Sequence, residues 1–166
     1  DIVIKAVAVV IKKFPGANLA ITGGGSAENS LKNLVKELKL ENKVKFLGIV
    51  SPAILSKLYQ AADIYAIAST AETQSISLMK AMATGLPVIG VRAWALPEYI
   101  NNNNGFIVEP GDYQAMADKI VLLCQDNNLR KKLGQGRAEM VKNFSAENIA
   151  KQWEEIYSNV LNKKII

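Results

Sequence analysis

The chain has no histidine. That excludes a Ser-His or Cys-His catalytic dyad within these residues, and any metal site built on imidazole. It has one cysteine, Cys124, so no internal disulfide can form and the chain is not disulfide-built. Cys124 falls at helical spacing and is expected to be a small core hydrophobe. No Asp-x-Asp pair, the arrangement that often holds a metal ion on a diphosphate, occurs anywhere in the sequence. Handling of phosphate would therefore fall to backbone amides, helix N-termini, Lys or Arg. No apolar run approaches the roughly 18 residues of a membrane span. The opening stretch DIVIKAVAVVIKKFPG lacks the basic start of a signal sequence and is broken by Lys5 and Lys12, so it reads as a helix with one apolar face. Charged residues make up only 21%, too few for a disordered chain.

Hydrophobic residues make up 49% of the 166, ample for the core of one ordinary domain. The net charge of +5 suits anionic ligands, nucleic acid or an acidic membrane surface, and suits equally a solvated Lys-rich surface. Nucleic acid is set aside, because the Lys residues are spread along the chain and no basic–aromatic motif appears. The chain is expected in the cytoplasm, with a peripheral place on the cytoplasmic membrane face left open. It opens without Met and directly in a helical pattern, which gives the expectation of a domain cut from a longer protein.

Helix and strand patterns alternate. A helix over about Ile2–Phe14 is stopped by Pro15-Gly16. Short apolar strands follow at Ala17–Thr22, Val44–Leu47, Ile64–Ala68, Val88–Val91 and Gly105–Val108. Helices fall between them near Ala27–Leu40, from Ser51-Pro52 to Ala62, Ser75–Thr84 and Leu96–Ile100. Ser51-Pro52 is an N-cap followed by proline at the first helical position. Three further helices close the chain, over about Tyr113–Cys124, Asn127–Asn143 and Ala146–Asn162, with Ser145 and Asn148 a partial capping signal. The class is α/β: a Rossmann-like parallel sheet with helices on both faces, in a single domain over residues 1–166. Ligands of such sheets bind beyond the carboxyl ends of the strands.

Two of those loops carry the residue types of a ligand site. Gly23-Gly24-Gly25-Ser26 leaves a strand and opens a helix, where a bare backbone can approach an anion. It is neither GxGxxG nor a Walker loop, and a plain tight turn is the competing reading. Ser69-Thr70-Ala71-Glu72-Thr73-Gln74-Ser75 places amides, hydroxyls and one carboxylate at a strand's end. A carboxylate accepts hydrogen bonds from vicinal sugar hydroxyls; the competing reading makes Glu72 a helix cap.

The stretch STAETQSISLMKAMATGLPVIG resembles the signature of the retaining GT-B glycosyltransferases, the glycogen synthase and mannosyltransferase-like family. That signature is a Glu, seven residues, a second Glu, then Ala-Met-Ala-x-Gly-x-Pro-Val. Glu72 and Ala81–Val88 fit it, as do the flanking segments Leu19–Gly25, Val44–Gly48, Ala61–Tyr65, Leu96–Glu98 and Gly105–Asp112, in family order. The resemblance covers essentially the whole chain and implies the C-terminal, nucleotide-sugar-binding half of a two-domain enzyme. Glu72 would hold hydroxyls of the donor hexose. Thr73, Gln74, Ser75 and Ile76 would offer amides to sugar and diphosphate, Gly23 and Gly24 would let the diphosphate lie close, and Val50 would meet the base through its backbone. The second Glu would hold the ribose, but here that position is Lys80, which has donors only and cannot accept hydroxyl protons. Lys80 is instead left to pair with a phosphate or with Glu72.

The resemblance further implies retention of anomeric configuration, no metal or other cofactor, and a missing N-terminal acceptor domain on which the terminal helix, residues 145–166, would pack. The isolated chain is expected not to turn over. Glu72-Thr73-Gln74 resembles the branch that glucosylates diacylglycerol or sterols from UDP-glucose. Capsule or lipopolysaccharide assembly is the competitor within the class. A non-catalytic dinucleotide-binding module is the competitor outside it. Phe144, Trp153 and Tyr157 are expected to pack the terminal helices. Trp94, just past a strand's end, is expected in core or lid packing, with substrate contact as the alternative.

Overall fold

A computed structural model describes residues 1–142 and 144–162. Asn143, the expected end of one helix, and residues 163–166 of the terminal segment lie outside the described residues. Elements alternate from the start: α1 (Ile2–Lys13), β1 (Leu19–Thr22), α2 (Glu28–Glu37), β2 (Val44–Gly48), α3 (Pro52–Ala61), β3 (Tyr65–Ala66), α4 (Ile76–Ala83), β4 (Val88–Val91), α5 (Leu96–Tyr99) and β5 (Gly105–Val108). Three helices follow: α6 (Tyr113–Gln125), α7 (Asn127–Lys142) and α8 (Ala146–Asn162).

Local signals set most of these ends. Pro15-Gly16 ends α1, whose last turn is closed by the Phe14 N–H donating to Val10 C=O at 2.8 Å. Ser51 caps α3 by accepting from the Ile54 N–H at 3.4 Å, with Pro52 in the first turn. Ser145 likewise accepts from the Asn148 N–H at 3.2 Å and starts α8.

All strand pairing is parallel, as expected, but it falls into two ladders rather than one sheet: β1–β2, and β3–β4–β5. The expected strand Ile64–Ala68 is reduced to Tyr65–Ala66, which among the described residues pairs with β4, by Tyr65 N–H to Pro87 C=O and Ile67 N–H to Ile89 C=O, both 2.9 Å. Helix α1 ties the ladders together. Its inward face sends Ile4 into a small cluster with Val35, Leu40 and Val44, and Ala6 and Val10 into the main core. That core surrounds β4, whose four residues are all buried, as a central strand covered on both faces must be.

Three expectations about apolar residues are corrected. Cys124 is half-buried, not fully in the core, and lines a cleft of ≈ 380 Å³ with Phe14, Ala17, Asp63, Ile64 and Arg130 at the amino ends of β1 and β3. Burial there pushes its thiol pKa up. Trp153 and Tyr157 contact each other, ring centroids 5.6 Å apart, yet are 51% and 59% exposed, because the apolar stripe of α8 is covered by nothing in the described residues. Trp94 is not in the core either: it is 71% exposed. Phe144 does pack, edge-on against Tyr99 at 5.6 Å.

Candidate functional site

The first group of expected site residues stands on the β1–β2 ladder. Gly23 leaves β1 with φ +100, a conformation that favours glycine, and its N–H donates to Gly48 C=O at 2.8 Å. Gly23, Gly24 and Gly25 are exposed and line a cleft of ≈ 220 Å³ with Thr22, Leu31 and Phe46. Helix α2 opens onto this loop, and its N-cap Ala27 supplies no side-chain acceptor, so no hydroxyl or carboxylate caps the first amides. Glu28 also lines the cleft; its carboxylate is held by Lys32 at 2.5 Å, which offsets the negative charge it would set against an anion. Val50, half-buried, follows β2 at the same edge.

The second group stands at the carboxyl end of β3. Glu72 is half-buried, Thr73, Gln74 and Ile76 are exposed, and Ser75 is buried. Ser75, not Glu72, caps α4: its Oγ accepts from the Leu78 N–H at 3.4 Å. The cap reading of Glu72 therefore falls, and its carboxylate is left for other partners. The Glu72 carbonyl accepts from the Ala95 N–H at 3.1 Å, which ties this loop to the turn after β4. Lys80 is exposed on α4 and makes no ion pair with Glu72 or any other carboxylate among the described residues. Each group thus follows the carboxyl end of a parallel strand, and the two stand on separate ladders.

Two supports were not read from the sequence. Arg92 Nε reaches Glu109 Oε1 at 2.8 Å and pins the end of β4 to the end of β5. Tyr65, on β3, donates from its hydroxyl to Ser77 Oγ at 2.8 Å, and Ser77 lies 3.2 Å from Ser75 Oγ, so one hydrogen-bonded row braces the start of α4. Neither has a signature in spacing. Burial first, then the nearby Tyr59 and Glu72, raise the Tyr65 pKa from 10.0 to about 12 against the opposing Ser77 hydrogen bond. The raised value means the fold favours the neutral phenol. Its stabilisation is complete below pH 10 and is lost as pH rises towards about 12. Tyr65→Phe is expected to flatten the fall of the thermal midpoint across that window; an unaltered slope would contradict the burial.

Among the described residues no group of three or more Cys, Asp or Glu side chains gathers in a way that would hold a metal ion. No helix of the described residues is long and apolar enough to cross a membrane.

The family model for glycosyl transferases group 1 matches residues 1–140. The chain belongs to this family. Among curated relatives it is 33% identical over 161 residues to the N-acetyl-alpha-D-glucosaminyl L-malate synthase of Bacillus anthracis, covering 96% of this chain and 42% of that protein. It is 32% identical over 165 residues to the D-inositol 3-phosphate glycosyltransferase of Corynebacterium efficiens, covering 95% of this chain and 39% of that one. Among solved structures, Anabaena HepE in complex with UDP-glucose superposes with a TM-score of 0.83 at 28% identity, over 95% of this chain and 44% of its own. The chain thus spans less than half the length of these relatives. The architecture is that of GT-B glycosyltransferases, and the two curated relatives are named as a synthase and a glycosyltransferase. The lipid-glucosylating branch does not appear in these names, which concern malate and inositol phosphate instead.

Proposed function

We propose that this group 1 glycosyltransferase domain binds a UDP-hexose, UDP-glucose in the first instance, and presents it for retaining transfer to an acceptor held by another part of the polypeptide. The observation that carries this reading is the half-buried Glu72 beyond the carboxyl end of β3, uncommitted to capping; the glycine loop likewise follows the carboxyl end of β1. Glu72 accepts from the hexose hydroxyls. Thr73, Gln74, Ser75 and Ile76 turn amides toward sugar and diphosphate, Gly23 and Gly24 admit the diphosphate against the α2 N-terminus, and Val50 meets the base. Neutralisation of the leaving diphosphate by amides and helix ends needs no metal. The UDP-glucose complex of a structural neighbour supports the choice of donor.

The Glu72-Thr73-Gln74 segment supports a membrane-lipid acceptor, and a second reading is a small polyol or hydroxy acid, favoured by the names of the two relatives. The exposed stripe of α8, with Trp153, Ile156, Tyr157, Val160 and Leu161, is read as the face that docks on the acceptor-binding part.

Calorimetric titration with UDP, UDP-glucose, GDP-mannose and NAD tests the reading. Saturable UDP or UDP-glucose binding supports it; binding of NAD in their place overturns it. Transfer to any acceptor by residues 1–166 alone would refute the need for a second part. Lys80 gives a further prediction. A carboxylate there would accept the two ribose hydroxyls, at about 1.5–3 kcal/mol per charged bond. Lys80→Glu is expected to tighten UDP at least about 10-fold. Weaker UDP binding would mean that this Lys contacts the diphosphate and is itself the favourable partner; unchanged binding would remove position 80 from the nucleotide site.

A further inference from the structure

Trp94 holds a backbone conformation that an aromatic residue rarely takes. Its φ is +46. It is the first central residue of a turn closed by the Leu96 N–H donating to Ala93 C=O at 3.2 Å, and the second central residue, Ala95, has φ −75 and ψ −12. A positive φ at the first central position of a turn favours glycine there. No burial compensates for the indole's awkward seat, since the side chain is 71% exposed. Among the described residues it makes no ring or cation–π contact. Strain of this kind persists where the surroundings enforce it, and it concentrates at ligand sites. The surroundings do enforce it here: Ala95 and Leu96 are buried, and the Ala95 N–H is fixed on the Glu72 carbonyl at 3.1 Å. The turn therefore stands directly beside the Glu72 loop.

A pyranose has a polar rim of hydroxyls and an apolar face of C–H bonds. Carboxylates take the first; the electron-rich face of an aromatic ring takes the second. The Ser69–Ser75 loop supplies hydroxyls, an amide and a carboxylate but no aromatic. We propose that Trp94 is the missing half of that pairing: a specificity-determining residue whose indole stacks on the C–H face of the donor hexose while Glu72 holds its hydroxyls. The proposal rests on the nucleotide-sugar reading above and adds to it a second group, beside Glu72, that distinguishes a nucleotide sugar from the bare nucleotide.

The test is a comparison of UDP and UDP-glucose affinities, with thermal midpoints, in the full-length protein and its Trp94→Gly and Trp94→Phe variants. Trp94→Gly is expected to weaken UDP-glucose about 10-fold, to leave UDP unchanged and to raise the midpoint, because glycine relieves the strained φ. Trp94→Phe keeps an aromatic face and should retain most of the sugar's contribution. The proposal is overturned if Trp94→Gly binds UDP-glucose as the native protein does. It is equally overturned if UDP and UDP-glucose weaken together, which would mark a structural role. If the native protein binds neither ligand, the nucleotide-sugar reading itself has failed and Trp94 falls with it, a pattern distinct from intact UDP binding with an indifferent tryptophan.

Discussion

Glu72→Ala is expected to remove most of the contribution of the donor sugar to binding while leaving UDP itself bound. The carboxylate would accept two charge-assisted hydrogen bonds from hexose hydroxyls, and each contributes about 1.5–3 kcal/mol. Losing both corresponds to about 100-fold to 10,000-fold in UDP-glucose affinity, or in kcat/KM where the bonds persist into the transition state. The fold should not suffer. Glu72 does not cap α4, since Ser75 does, and the bond that ties it to the next turn among the described residues uses its backbone carbonyl, which alanine keeps. The thermal midpoint is therefore expected to stay close to native, as for surface substitutions generally. Glu72→Gln retains one acceptor oxygen and should fall between the two. Calorimetry with UDP and UDP-glucose on the same preparations separates the sugar from the nucleotide. Equal UDP-glucose affinity in Glu72→Ala and native protein would remove Glu72 from the site.

Lys80 sharpens the contrast. Glu72 and Lys80 lie on the same loop-and-helix unit, and neither is committed to an ion pair among the described residues. If both variants behave as expected, Glu72→Ala costs the sugar and Lys80→Glu gains the nucleotide, so the two ends of the donor are read by residues one helix turn or two apart. That separation of effects is not what a shared structural disturbance would produce, because a disturbance of α4 would move both ligands in one direction.

Much of this arrangement was legible before any coordinates. Pro15-Gly16 and Ser51-Pro52 are local chemical instructions, and the chain obeys them where they stand. The continuous apolar run Val88–Val91 reads as a strand buried on both faces, and β4 is one. The loops at the carboxyl ends of β1 and β3 follow from the same alternation. What was not legible depended on partners that periodicity does not name. The apolar stripe of α8 announces a covered face but not what covers it. The spacing of Ile64–Ala68 announces a strand of five residues, but among the described residues its ladder is the one with β4, over Tyr65–Ala66. Trp94 read as a packing residue because tryptophan usually is one; its φ and exposure come from a turn whose geometry is set by Ala95 and Glu72 rather than by its own preference. Tyr65 gave no signal at all, since its contact with Ser77 joins a strand to the helix twelve residues later.

The support beneath the site is tightest at Gly105, and here the expected effect on stability is the largest. Gly105 begins β5 directly opposite Val88 of the buried β4. A Cβ added at Gly105 would fall 2.1 Å from the Val88 carbonyl oxygen and 3.0 Å from its carbon. The obstruction is backbone, not the tip of a side chain that could swing away, so β5 would have to move off β4. Asn104 resists that movement: it is 1% exposed, its Nδ2 donates to Tyr99 C=O at 2.7 Å and its Oδ1 accepts from the Asn101 N–H at 2.8 Å. Overpacking a core ordinarily costs about 1–3 kcal/mol and more where nothing yields. Gly105→Ala is expected to cost at least about 3 kcal/mol, a fall of roughly 6–12 °C in midpoint for a domain of this size. Gly16→Ala, where an added Cβ meets nothing within 4 Å, is the matched control and should be nearly neutral. The site should suffer with the strand, because Arg92, Trp94 and Ala95 all hang from the end of β4, and Arg92 is pinned to Glu109 just past β5. Donor binding in Gly105→Ala is accordingly expected to weaken for UDP-glucose more than for UDP, since the glycine loop stands on the other ladder. A Gly105→Ala protein as stable as the Gly16→Ala control would mean that β4 and β5 do not lie at this spacing.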